Sequence, residues 1–344
     1  PKGFALWTPI TAYAGTEGIR LHGDYPINGE FRDWARRPML SAVAIMYFFA
    51  AAGLVLIQAL GALARHLSPA WGGAAASALS VLFQLGFLLW PVARYAVQNP
   101  GSALGMRLKR PPLWGVLIAL LAAVVGVMLA GNLGTLWLLL IEALGGRLSG
   151  GAPPPATPWH LAARLLTGAL LPGLCEEWMF RGAMLSAWER RGTRAALFIS
   201  TVLFASLHAS VEGLPIQLVI GLALGVLTLA TDSVVTAMIH HAFYNALLLL
   251  MSPGAQATGE RLYDALGGVR EVWLTAMRAG TLGAIYAGLL LVAWHLGGAR
   301  GRPAKVARAP ESMEPWALVI LAAGVVTALC LYLINLLMIA GVMR

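Results

Sequence analysis

The chain has 344 residues, of which 59% are hydrophobic and 11% are charged, whereas an ordinary soluble domain carries about 25% charged residues. This composition excludes a protein whose main solvent is water. The formal net charge of +9 comes from basic residues grouped between apolar runs, a pattern that fits membrane topology better than nucleic-acid binding. Cys175 and Cys330 both lie in apolar runs, so the sequence offers neither a disulfide framework nor a thiolate metal cluster.

The first 38 residues lack the apolar stretch of a secretory signal, and we interpret them as a cytosolic arm. Apolar runs long enough to cross a hydrocarbon core about 30 Å thick follow along the rest of the chain. They predict an all-α polytopic membrane protein, a bundle of about eight to nine transmembrane helices with its active site buried in the bilayer. The predicted spans are 39–64, 71–93, 113–145, 159–188, 195–211, 214–231, 233–250, 272–297 and 316–341.

The third of these runs is interrupted by Gly131, Asn132 and Gly134, so it is either one helix or two; one helix gives nine spans. Basic clusters then fall at alternate ends of the spans, which places the N-terminus in the cytoplasm and the C-terminus outside it. We therefore expect a multi-pass protein of the inner cell membrane.

Ionisable groups inside a span cost about 2.5 to 3.5 kcal/mol each near the bilayer centre, so they require an explanation. Three consecutive regions of the chain bring several of them together: Glu176, Glu177 and Arg181 in the fourth predicted span, His208 at the end of the fifth, and His240 and His241, with Asn245, in the seventh. Residues four apart share one face of a helix, which pairs Glu177 with Arg181 and aims His241 and Asn245 at one target.

Helix geometry brings these groups to similar depths. Glu176 and His208 each lie about 20 Å from the cytoplasmic boundary, and His241 lies about 13 Å from it. Pro172 leaves the carbonyl of Gly168 without its helical donor, which should bend the span just before Glu176. Such a bend makes room for water. The three groups are thus expected to meet inside the membrane.

These residues resemble the CPBP or Abi family of intramembrane proteases, which includes the CAAX prenyl endopeptidases. The family pattern Glu-Glu-x-x-x-Arg, Phe-x-x-x-His and His-x-x-x-Asn is matched here by Glu176-Glu177 to Arg181, Phe204 to His208, and His241 to Asn245. The stretch Leu104-Gly105-Met106-Arg107 is also similar to this family. Each motif alone is a weak signal, whereas all three in order are a strong one.

The resemblance implies that water attacks a peptide carbonyl, with Glu176 as general base and His208 orienting that water. It also implies that His241 and Asn245 stabilise the oxyanion. Glu177, Arg181 and Phe204 are expected to support this site, with the Glu177 to Arg181 pair bracing its helix. His240, on another face of its helix than His241, is interpreted as a packing residue, and Cys175 lacks the basic neighbour that a thiol nucleophile needs.

The predicted organisation places a catalytic core between flanking helices. It consists of a cytosolic arm (1–38), N-terminal transmembrane helices (39–150), the catalytic core (151–252), a further transmembrane helix with an extracytoplasmic loop (253–297), and a basic linker with a C-terminal transmembrane helix (298–344). The linker makes the last helix an appendage to the bundle in this interpretation.

Two other functions stay open at this stage. No cofactor is expected, but Glu176, His208 and His241 would form the ligand set of a metallopeptidase that binds Zn²⁺ or another divalent ion. A non-catalytic scaffold, immunity factor or transporter would also hold polar groups inside the membrane.

The expected partners are membrane lipids and a membrane-anchored protein or peptide substrate, with no nucleic acid. Protein partners would bind through the N-terminal arm or the last helix. The substrate itself is not indicated by the residues.

Overall fold

The computed structural model of the chain describes residues 37–67, 72–148, 157–251, 262–298 and 313–342. Within these ranges every regular element is helical, which confirms the predicted all-α class. The cytosolic arm up to residue 36, most of the Pro-rich connection before residue 157 and most of the basic linker lie outside the described residues.

The described residues contain fourteen α-helices, which are numbered here in chain order. They are α1 (Leu40–Leu67), α2 (Gly72–Leu82), α3 (Trp90–Gln98), α4 (Ser102–Gly105), α5 (Leu113–Ala143), α6 (Pro158–Leu165), α7 (Leu171–Glu177), α8 (Leu185–Trp188), α9 (Thr193–Ser206), α10 (Leu214–Thr231), α11 (Val234–Met251), α12 (Leu262–Leu266), α13 (Val269–Gly297) and α14 (Pro315–Ile339). A π-helical segment, Phe83–Leu89, joins α2 to α3. Two more, Leu166–Leu170 and Trp178–Met184, join α6, α7 and α8 into one helical run, here called the interrupted helix, which ends in the 3-10 turn Glu189–Arg191.

Seven helical stretches of the described chain are long and apolar enough to cross a membrane: α1, residues 75–98, α5, α10, α11, α13 and α14. Large apolar side chains such as Leu121, Val319 and Leu333 remain exposed along them, as expected for surfaces that face lipid. The third apolar run is one continuous helix, α5, and the predicted multi-pass architecture is confirmed.

The fifth predicted span, 195–211, is wrong at its end because α9 stops at Ser206. Its 14 residues rise about 21 Å, less than the hydrocarbon thickness of about 30 Å. Ala209 then adopts a left-handed backbone with φ of 47°, which an α-helix cannot contain. His208 therefore lies in a turn between α9 and α10 and not on a helix.

The connection between the predicted spans 233–250 and 272–297 contains more helix than expected. Helix α12 forms in it and α13 already begins at Val269. The carboxylate of Glu142 at the end of α5 accepts the backbone N–H groups of Leu262 and Tyr263, at 3.0 and 3.3 Å. A carboxylate at these otherwise unpaired N–H groups stabilises the start of a helix, and here it comes from a distant part of the chain.

Helix α5 is central to the bundle, since both α11 and α13 pack along it. The last helix is not a loose appendage: α14 packs lengthwise against α1, with Gly324 directly against the buried ring of Tyr47. The structure thus brings the two ends of the described chain together.

The short segment after α4 ties several helix ends together through Arg107, a buried residue with φ of 58°. Its guanidinium contacts Glu189 at 2.6 Å, Asp232 at 3.0 Å and the hydroxyl of Ser186 at 2.8 Å, while its carbonyl accepts the N–H of Val234 at 2.9 Å. Burial by itself lowers the pKa of Arg107, but the two carboxylates outweigh it and raise the pKa above its usual value. Arg107 is therefore a buried residue held by ion pairs. It is not one of the free basic residues between spans that set the orientation of a membrane protein.

Close approach of the interrupted helix to α11 depends on Gly173. A Cβ at this position would lie 2.8 Å from the backbone nitrogen and the Cβ of Ala242. We expect Gly173→Ala to lower the free energy of unfolding by about 1 to 3 kcal/mol, because the two backbones must separate. Thermal unfolding in detergent micelles measures the change.

The matched control is Gly134→Ala in α5, where an added Cβ meets no atom within 4 Å. This variant should keep or raise the melting temperature, since alanine stabilises a helix interior by about 1 kcal/mol relative to glycine. Equal melting temperatures for the two variants would contradict the close packing at Gly173.

Candidate active site

A cavity of about 500 Å³ opens between α5, the interrupted helix, the turn after α9, α10 and α11. Its walls are mostly apolar, and the four predicted catalytic residues all line it: Glu176, His208, His241 and Asn245. Apolar cavities with a few convergent polar groups are the usual form of a binding or active site. The structure thus brings together the residues that the sequence places on separate helical segments.

Glu176 reaches the cavity from α7 and is held by a residue that the sequence analysis missed. Its Oε1 accepts a hydrogen bond of 2.8 Å from Nε2 of Gln84, a buried residue on the π-helical segment between α2 and α3. Its Oε2 has no hydrogen-bond partner among the described residues. The signal for Gln84 was present, since a carboxamide within an apolar span requires a partner.

His208 is exposed and its tautomer follows from its neighbour. Its Nδ1 lies 3.0 Å from the carbonyl oxygen of Phe204, one turn earlier. Because a carbonyl oxygen only accepts hydrogen bonds, Nδ1 carries the proton of the neutral ring. Nε2 of neutral His208 is then a lone-pair acceptor, which suits a group that orients water.

His241 contacts a residue that the spacing of the motifs does not predict. Its Nδ1 lies 2.8 Å from Oε1 of Glu177, and the same oxygen accepts from Arg181 at 3.1 Å. Glu177 and Arg181 are both fully buried. The predicted pair of Glu177 and Arg181 is present in the structure, and it also orients His241.

The cluster contains two carboxyl groups, Glu176 and Glu177, beside one guanidinium, that of Arg181. Isolated charge is very unfavourable in an apolar interior, so a second basic group beside the carboxyl groups contributes to the charge balance of the cluster. His241 is in position to be that group, because its Nδ1 contacts the carboxylate of Glu177.

Arg181 and Phe204 connect these groups to α10. The guanidinium donates to the carbonyl of Gly221 at 2.9 Å and lies 4.1 Å from the centre of the Phe204 ring. That ring in turn contacts the imidazoles of His208 and His241, at centroid distances of 4.7 and 5.8 Å. A Cβ at Gly221 would approach Phe204 to 3.1 Å, so glycine lets the guanidinium reach the α10 backbone.

Asn245 supplies the donor that Pro172 removes from the interrupted helix. Its Nδ2 donates to the carbonyl of Gly168 at 3.0 Å, the oxygen predicted to lack its helical partner. One amide hydrogen of Asn245 is therefore used to join α11 to the interrupted helix. The second hydrogen remains as a donor, because Asn245 lines the cavity.

His240 and Cys175, which were not expected to take part in catalysis, lie apart from the cavity wall. His240 is buried and hydrogen-bonds through Nε2 to the hydroxyl of Tyr286 on α13, at 2.8 Å. Cys175 is buried beside Glu176. Neither residue lines the cavity, and His240 joins α11 to α13.

Within the described part of the chain, no group of three or more His, Cys, Asp or Glu residues is arranged to hold a metal ion. The suggested ligand set of Glu176, His208 and His241 shares one cavity, but each residue already uses one polar atom in a bond to the protein. Metal dependence stays an open prediction.

Residues 158–247 match the family model described as type II CAAX prenyl endopeptidase Rce1-like. This match confirms the resemblance to the CAAX-type family over that segment, which holds all four predicted catalytic residues. No curated protein and no solved structure matches the chain. Gln84 and helix α14 lie outside the matched segment.

Loss of Arg181 should destabilise the fold strongly. Arg181→Met leaves the buried carboxylate of Glu177 without its guanidinium, and removal of one partner of a buried ion pair typically costs about 3 to 5 kcal/mol. The double variant Glu177→Gln with Arg181→Met should recover part of this loss. Unfolding in mixed micelles measures both changes.

Arg94→Met is the matched control, because Arg94 is exposed and its guanidinium lies 5.5 Å from the centre of the Trp90 ring. Loss of such an exposed contact should cost no more than about 1 kcal/mol. A double variant less stable than Arg181→Met alone would contradict the proposed charge balance.

Proposed function

We propose that the chain is a CAAX-type intramembrane endopeptidase, which hydrolyses a peptide bond of a membrane-associated protein or peptide. The observation that carries this proposal is the convergence of two acceptor groups and two donor groups on one apolar cavity. The match of the surrounding segment to a prenyl endopeptidase family supports the same reaction class.

Water activation is assigned to Glu176 and His208. Oε2 of Glu176 has no hydrogen-bond partner among the described residues, and Nε2 of neutral His208 carries a lone pair. A water bound between two acceptors directs both of its hydrogens at them and its oxygen lone pair at the substrate. Glu176 then takes one proton as the hydroxyl attacks the carbonyl carbon.

Oxyanion stabilisation is assigned to His241 and Asn245. We assign the cationic form to His241, whose Nδ1 contact with Glu177 turns Nε2–H toward the cavity. Asn245 lies on the same helix, and its second amide hydrogen is the other donor. Fixed donors in an apolar site act strongly on a developing negative charge because no water weakens them. Collapse of the tetrahedral intermediate breaks the C–N bond, and Glu176 returns its proton to the leaving amine.

The substrate class follows from the walls of the cavity. Apolar walls inside a helical bundle favour an extended, largely apolar segment over a polar peptide from solution. Such a segment reaches the cavity most easily when it is anchored in the membrane. A membrane-anchored protein or peptide is therefore the substrate we propose.

Glu176→Gln should abolish cleavage and leave the fold intact. The variant side chain has the same shape and still accepts from Gln84, but it cannot take a proton from water. Loss of a general base typically slows a reaction by about 10²- to 10⁴-fold. Comparison of new C-termini in membranes with and without the chain identifies the cleaved sites, and the same assay tests the variant.

Glu142→Gln is the control, since Glu142 caps α12 away from the cavity. A Glu176→Gln protein that still produces the same C-termini would favour the alternative of a non-catalytic scaffold or transporter.

Repeating the assay with a chelator separates the metal-free from the metal-dependent peptidase mechanism. Activity that is lost and returns only with added Zn²⁺ would establish the metal-dependent version.

Gln84→Leu should lower the turnover number without preventing folding. Hydrogen bonds to charged groups contribute about 1.5 to 3 kcal/mol, so loss of the donor to Glu176 should reduce kcat roughly 10- to 100-fold. A synthetic peptide that spans an identified cleavage site serves as the substrate.

Ser80→Ala on α2 is the matched control, because this hydroxyl donates to Thr167 and does not line the cavity. It should leave kcat within about twofold of the parent, as expected for a weak bond of 3.4 Å made by a residue outside the cavity lining. Equal kcat values for the two variants would show that Gln84 does not orient Glu176.

A further inference from the structure

His208 is carried by residues 205–211, here called the His208 segment, whose backbone is non-helical after Ser206. It contains the end of α9 and the left-handed Ala209. Non-helical backbone at membrane depth is tolerated only where protein groups or a water-filled cavity bind its N–H and C=O groups. The side chains that bind this stretch therefore determine where the imidazole lies.

Two of these side chains come from the last helix, α14. The hydroxyl of Tyr332 donates to the carbonyl of Ala205 at 2.7 Å, and Oδ1 of Asn335 accepts the N–H of Val211 at 2.8 Å. The two residues are three apart, so they lie on one face of α14. One helix face thus holds both ends of the His208 segment.

Helices α1 and α5 hold the same segment from other directions. The hydroxyl of Tyr47 lies 2.6 Å from the hydroxyl of Ser206 and donates to it, since Ser206 donates its own hydrogen to Leu203. The indole N–H of Trp137 donates to the carbonyl of Val211 at 2.8 Å. Helices α1, α5 and α14 all lie outside the segment that matches the family model.

We propose that Tyr332 and Asn335 are positioning residues for catalysis, and that α14 is a required part of the active-site support. This proposal rests on the proposed peptidase function. The two side chains fix the backbone on either side of His208, and so they determine where Nε2 of its ring meets the water. They touch neither water nor substrate themselves.

Tyr332 links α14 to the cavity wall as well as to the backbone of the His208 segment. The carbonyl bound by Tyr332 belongs to the residue next to Phe204, whose own carbonyl holds Nδ1 of His208. The Tyr332 hydroxyl also contacts Oε1 of Gln217 at 3.1 Å, and Gln217 lines the cavity. A shift at Tyr332 is thereby transmitted to the imidazole and to the cavity wall.

The test uses Tyr332→Phe, Asn335→Leu and the double variant in the full chain. Displacing a catalytic group by about 1 Å reduces rate by about 10²-fold, so we expect kcat to fall roughly tenfold for each variant and about a hundredfold for the double variant. The substrate is the same synthetic peptide, and kcat is calculated per folded molecule. KM should change less than kcat.

A second measurement needs no substrate. Mass spectrometry follows the modification of each histidine by diethyl pyrocarbonate, which reacts at an unprotonated ring nitrogen. We expect the rate at His208 to change by at least about threefold in the double variant, because a loosened Nδ1–H bond alters the position and basicity of Nε2. The exposed His160 is the internal reference and should react at an unchanged rate. Thr327→Val is the matched variant on α14, since its hydroxyl donates to Ala323 of its own helix.

An unchanged modification rate at His208 would overturn the proposal, as would a double variant with parental kcat. A loss of activity explained entirely by a smaller folded fraction would also overturn it, because that result indicates a purely structural role. Failure of the parent to cleave the peptide, with Glu176→Gln behaving identically, would overturn the proposed function. The modification rates would still decide whether α14 positions His208.

Discussion

Hydrocarbon offers no hydrogen bonds, so each polar group inside this bundle must find its partner within the protein or in a hydrated cavity. Many features of the structure follow from this constraint. Asn245 binds the Gly168 carbonyl that Pro172 leaves unpaired, and Arg181 binds both a carboxylate and the α10 backbone. The same requirement brings Tyr332 and Asn335 of the last helix to the turn after α9.

After this pairing, the cavity residues keep polar atoms that are available for chemistry. Glu176 uses one carboxylate oxygen for Gln84, and the other lacks a partner among the described residues. His208 and His241 each use Nδ1 for a protein contact, which leaves Nε2 of each ring available to bind water or substrate. His208 faces a carbonyl and His241 faces a carboxylate, and the proposed mechanism uses the first ring as an acceptor and the second as a donor.

Much of the candidate site was predictable because its motifs are local. The four-residue spacing within a helix brings Glu177 to Arg181 and places His241 and Asn245 on one side of α11. The contact between His241 and Glu177 was not predictable, since it joins helices that are distant in the chain. Gln84 was overlooked for a similar reason, because a single carboxamide in an apolar run does not reveal which carboxylate it meets.

The sequence by itself determined the all-α, multi-pass membrane class, and it predicted the four residues that share the cavity. Composition and helical spacing are sufficient for these features, since both act over short stretches of chain. The tertiary structure decided where α9 ends, which groups Glu176, Glu177 and His241 contact, and that α14 contacts the backbone on either side of His208. These features depend on contacts between residues up to 159 positions apart, such as Tyr47 with Ser206, and local patterns contain no information about such pairs.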